Sequence, residues 1–126
     1  MPVHWTISHT NRLVVAVAKE DVTVADIEQY FAAMTAEGAM AYRKIFEMTA
    51  TPTALSDENM RVLGQRIMLY AQHGQVGPVA IVAGSEESFA QAQVFAQAAT
   101  AGRPLRIFRE MHAARRWLDE QDSAIG

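Results

Sequence analysis

The chain has 126 residues, half of them apolar and 20% charged, a formal net charge of −3 with histidines neutral, and no cysteine. That length suits a single domain spanning 1–126 that buries a core without staples, and the composition argues against disorder. The missing cysteines exclude disulfides, thiolate metal sites and cysteine nucleophiles, and the acidic balance argues against a broad nucleic-acid surface.

Residues 3–9 and 13–18 read as two strands. In the first, Val3, Trp5 and Ile7 share one face, and His4, Thr6 and Ser8 share the other. The second, LVVAVA, is apolar throughout, which predicts burial on both faces. The polar Thr10-Asn11-Arg12 between them suits a hairpin turn, so this pair is expected to be antiparallel. Thr23 is placed to cap a helix carrying the stripe Ile27, Tyr30, Phe31 and Met34, with Gly38 as terminator. Residues 43–49 (RKIFEMT) read as a third strand, followed by a loop in which Pro52 forbids regular pairing.

Ser56 is a plausible cap for a second helix striped with Met60, Leu63, Ile67 and Tyr70. Asp57 and Glu58 favour its positive end. Gly74 and Gly77-Pro78 end it. Residues 79–83 (VAIVA) form a fourth strand, and Ser85 caps a third helix carrying Phe89, Ala92, Ala96 and Ala99, closed by Gly102. Residues 105–108 (LRIF) and 111–120 (MHAARRWLDE) repeat the strand-and-helix unit. The order is therefore ββαβαβαβα. It predicts an α/β fold with a mixed, mainly parallel five-stranded sheet and right-handed crossovers. Three crossover helices would share one face. The other face then needs separate cover, solvent or a partner, and Trp5 and Ile7 are candidates for a homodimer contact.

This order, taken with the 104–120 segment PLRIFREMHAARRWLDE, resembles the SpoIIAA-like, or STAS-like, proteins. In that family a strand of the form hydrophobic-Arg-hydrophobic-Phe precedes a helix containing Ala and Trp-Leu. The matching residues are Arg106, Phe108, Ala114, Trp117 and Leu118. The order of elements matches over nearly the whole chain, and the local sequence over about the last 50 residues. Better-known members are regulatory binding modules with a phosphorylatable Ser or Thr between the third strand and the next helix. The resemblance thus implies a non-catalytic regulatory or protein-interaction module with a regulatory protein partner. Its contact loop would hold Thr49, Thr51, Thr53, Ser56 and Asp57 as partner-binding or phosphorylation candidates. Asp57 stands where the family pattern has glycine. The same branch is compared with Sec14-type lipid-binding folds, which implies the alternative of a small apolar or lipid-like ligand.

Chemical motifs are sparse. His4, His9, His73 and His112 form no ligand pattern and read as lone side chains, and no short metal signature is present. The pairs Asp57-Glu58 and Glu86-Glu87 open helices, where they complement the dipole. No GxSxG, P-loop or GxGxxG occurs. Neither an enzyme nor a cofactor is expected. Arg103, Arg106, Arg109, Arg115 and Arg116 read as a solvated face, with an anionic docking surface as the lesser reading. Met34, Met48, Met60 and Met68 fall on apolar positions, suited to a core or to the walls of a ligand site. No apolar run approaches the roughly 20 residues of a membrane span, and the first residues lack the pattern of a secretory signal. A cytoplasmic location and no membrane span are the default expectations.

Overall fold

A computed structural model describes residues 3–19, 22–48, 55–99 and 103–125. The strands are β1 (Val3–Ser8), β2 (Leu13–Ala18), β3 (Arg43–Met48), β4 (Val79–Ala83) and β5 (Leu105–Phe108). The helices are α1 (Val24–Ala36), α2 (Asp57–His73), α3 (Glu86–Ala98) and α4 (Met111–Ile125). They build one α/β domain on a mixed sheet of spatial order β1-β2-β3-β4-β5. β1 pairs antiparallel with β2, and the β2-β3, β3-β4 and β4-β5 pairs are parallel.

Register and alternation divide the side chains between two layers. Val14, Lys44 and Val79 lie side by side on one face, as do Ala16, Phe46 and Ile81, and then Ala18, Met48 and Ala83. This face meets α1, α2 and α3 in the larger core. Ile45, Ala80 and Val82 point the other way, into a smaller core with Ala114 and Leu118 of α4. The separate cover expected for that face is thus α4, which packs over β3, β4 and β5.

The α4-side core reaches β2 only at Leu13, and this corrects one expectation. Val14, Ala16 and Ala18 are buried, but Leu13, Val15 and Val17 are only half-buried. The apolar run is not matched by two covering layers. Trp5 and Ile7 lie on the helix-covered face, where the Trp5 ring meets Tyr30 edge-on at 5.6 Å. They are partly buried there, packed against the larger core, and the opposite face of β1 carries the exposed His4 and Thr6. Trp117 packs against Phe108, with centroids 5.8 Å apart, and is partly buried.

Capping follows the sequence. Thr23, Ser56 and Ser85 each accept from the backbone N–H three residues on, and each N3 side chain (Asp26, Asn59 and Ser88) accepts from the cap backbone in return. α1 ends in a Schellman motif. Gly38, at φ 68°, donates to the Thr35 carbonyl, and Ala39 donates to the Met34 carbonyl.

The helix layer is uneven. α3 lies on β4 and β5, whereas α2 packs mainly on α1 and α3 and stands off the sheet. Gly64 explains the lean of α2: a Cβ there would meet the Ala98 Cβ at 2.6 Å. Two helices can approach this closely only where side chains are minimal. The lift of α2 from the strands leaves space beneath it.

Candidate functional site

That space is a cavity of about 70 Å³, within about 740 Å³ of atom-free volume once its opening is counted. Its floor is the β2-β3-β4 surface and includes Phe46, Met48 and Ile81. Its roof comes from α1 and α2, with Met34, Met60, Leu63 and Ile67. Among the described residues, every lining side chain is apolar except Tyr30, Lys44 and Arg103. Four methionines line it, Met34, Met40, Met48 and Met60. Their flexible thioethers adapt to varied apolar shapes. Gln91 donates to the Leu55 carbonyl at 2.6 Å and so fixes the approach to α2 against α3 at one end of this space.

The polar residues gather at the opposite end, around the connection from α1 to β3. Lys44 is the second residue of β3 and is only 4% exposed. Its Nζ donates to the Tyr42 carbonyl at 2.8 Å and to the Met40 carbonyl. Gly77, before β4, donates to the same Met40 carbonyl at 3.0 Å. A Cβ on Gly77 would lie 2.3 Å from the Tyr42 carbonyl oxygen, so only glycine permits this approach. Arg103, before β5, donates from one terminal nitrogen to the Gly77 carbonyl at 3.3 Å. Two cations are thereby drawn to one knot of backbone carbonyls.

The electrostatics follow from burial. Lys44 is pushed down to about 7, first by loss of solvent and then by the nearby Arg103 charge. Burial also lowers Arg103, to about 10, leaving it cationic at neutral pH. The Tyr30 hydroxyl is pushed up by burial, opposed in part by Arg103, and it stays neutral. Neither cation has an ion-pair partner among the described residues. The Tyr30 hydroxyl and the Arg103 Nε are buried without a hydrogen-bond partner among the described residues. Orphaned donors of this kind are rare in folded proteins and call for an explanation.

The residues singled out from sequence lie elsewhere. Thr49, Thr51 and Thr53 fall outside the described residues. Ser56 and Asp57 are exposed at the start of α2. Ser56 Oγ accepts from the Asn59 N–H at 3.1 Å, and its own N–H donates to Asn59 Oδ1 at 3.0 Å, so it caps the helix. Two expectations need correction. Arg103 leaves the surface arginine group and enters the cavity, while Arg109 stacks on Phe89 at 4.2 Å and faces Glu86 at 3.9 Å. His9 is not alone: its Nδ1 lies 2.7 Å from the Tyr42 hydroxyl and its Nε2 3.5 Å from Glu37. This exposed chain ties the β1-β2 turn to the α1-β3 connection. It was invisible in sequence because Glu37 and Tyr42 lie far along the chain from His9.

Among the described residues, no cluster of three or more His, Asp or Glu could hold a metal, and no helix is long and apolar enough to cross a membrane. Comparison with known proteins returns no match to a family model, a curated protein or a solved structure.

Proposed function

We propose that the chain is a binding protein for a small apolar or lipid-like ligand, held between the helix layer and the sheet. The observation that carries this reading is the cavity beneath α2, with a mostly apolar lining and buried polar donors at one end. Ligand sites combine a largely apolar concavity with a few placed polar groups, and they lie between packed layers. The order of elements and the 104–120 segment support a SpoIIAA-like or STAS-like domain with a mainly parallel sheet. The regulatory-module reading keeps one supporting observation. Ser56 is exposed at the start of the helix whose Met60, Leu63 and Ile67 roof the cavity, so a partner at that end and a ligand below would act on one element.

The test uses N-phenyl-1-naphthylamine, a neutral probe that fluoresces in apolar surroundings. Wild type is expected to give saturable enhancement at one site. Ala92 is fully buried on the cavity wall, so Ala92→Leu fills the space and is expected to abolish the signal while circular dichroism stays native. Absence of saturable binding by wild type would overturn the reading.

A further inference from the structure

We propose that the cavity takes an amphipathic ligand with an oxyanion head, held by Lys44, Arg103 and Tyr30 at the amino-terminal edge of the parallel strands. The assignment rests on the ligand-binding reading above and adds the chemistry and direction of the ligand.

The donors make the first argument. Protonated Lys44 carries three N–H groups, and two are engaged by the Met40 and Tyr42 carbonyls. Arg103 engages Gly77 from one terminal nitrogen, while its buried Nε has no partner. The buried Tyr30 hydroxyl also has none. Every group left over at this end can donate. A carboxylate or phosphate, which accepts only, satisfies such a set; an ammonium head cannot.

Charge makes the second argument. Arg103 and protonated Lys44 share an apolar enclosure with no acidic side chain paired to either among the described residues, and a bound anion favours the protonated form of Lys44. Like charges in a poorly solvated space oppose one another, and a resident anion relieves both.

Geometry makes the third. Lys44 pairs with Val79, and Val79 pairs with Leu105, so the backbones bearing Lys44 and Arg103 stand about two strand spacings apart, roughly 10 Å. Their long side chains close that gap at the Gly77 knot. From Lys44 to Met48 the floor runs about 13 Å at the usual rise per residue. Beyond Lys44 it is apolar, through Phe46 and Met48 to Leu55. A ligand with its head at Lys44 therefore lays its chain along β3 towards the carboxyl ends of the strands. That is the reverse of the usual arrangement in parallel sheets, where polar groups bind outside those ends.

The experiment is competition against N-phenyl-1-naphthylamine at pH 7 by sodium decanoate, decyl phosphate, 1-decanol and decylamine, each below its aggregation threshold. An anion is expected to bind wild type at least about tenfold tighter than 1-decanol, the worth of one hydrogen bond to a charged group. The tighter of the two anions identifies the head as carboxylate or phosphate. Decylamine should bind weakest. In Arg103→Leu and in Lys44→Met the preference for anions should shrink towards unity while 1-decanol binding persists. Equal affinity for anions and alcohol in wild type, or preference for the amine, would overturn the oxyanion head and leave the apolar site standing. Failure of all four to compete would remove both. The wild-type comparison decides the matter even where a variant fails to fold.

Discussion

Replacing Lys44 with Met tests the electrostatics of the cavity floor through stability alone. In the native state Lys44 is lowered to about 7, against 10.5 for the free side chain. Below pH 7 both native and unfolded chains carry the proton, and the native state bears the full cost of a buried cation. Between 7 and 10.5 the unfolded chain keeps the proton while the native chain has lost it, so stability rises with pH. At 1.36 kcal/mol per unit, allowing for half-protonation at pH 7, wild type should gain about 2 kcal/mol between pH 7 and pH 9 from this group. Lys44→Met removes the titration. It also leaves the Tyr42 carbonyl without its donor, at about 1–3 kcal/mol, while the Met40 carbonyl keeps the Gly77 N–H. That loss offsets release of the buried charge, so the slope is the readout rather than the offset. Urea unfolding of both proteins at pH 6, 7, 8 and 9 measures it. Subtracting the variant cancels titrations common to both. A difference that stays flat across this range would refute the argument that Lys44 is a desolvated cation.

Two further outcomes follow from the helix contacts. Gly64→Ala places a methyl group 2.6 Å from the Ala98 Cβ, and α2 must shift off α3. We expect a loss of about 1–3 kcal/mol in urea unfolding, the usual range for overpacking. Ser56→Ala should cost about 1 kcal/mol through loss of the cap, while Ser56→Asp, which retains a capping oxygen, should cost less. If Ser56 is also a regulatory site, Ser56→Asp should change affinity for a captured partner beyond its effect on stability. Equal partner affinities for wild type, Ser56→Ala and Ser56→Asp would eliminate the switch.

Much of the fold was legible because the local signals agree with one another. Each helix cap predicted at Thr23, Ser56 and Ser85 depends on residues within three positions, and each forms. The alternation in β1 and the Ile27-Tyr30-Phe31-Met34 stripe correctly gave the buried faces. Coverage by distant elements was not legible. LVVAVA looks the same whether one layer or two lie over it, and the reach of α4 is decided by the length and position of β3 to β5. The site was hidden for a similar reason. Nothing in the RKIFEMT strand marks Lys44, and Arg103 reads as one arginine of five. They share a cavity only because β4 lies between their strands and Gly77 draws both to one loop. Tyr30 was read correctly as core, but a helical stripe carries no information about whether its hydroxyl finds a partner.

The most direct test of the ligand-binding account uses the methionines as reporters. With 13C-labelled methionine methyl groups, wild type is titrated with 1-decanol and then with sodium decanoate. Met34, Met40, Met48 and Met60 line the cavity, whereas Met111, at the start of α4, packs in the opposite layer and Met68 lies outside the cavity lining. The account predicts saturable shifts at the four cavity methyl groups, with Met68 and Met111 unmoved, and saturation at lower concentration with decanoate. Cavity methyl resonances that stay in place with both ligands, or shifts spread equally over all six, would contradict it.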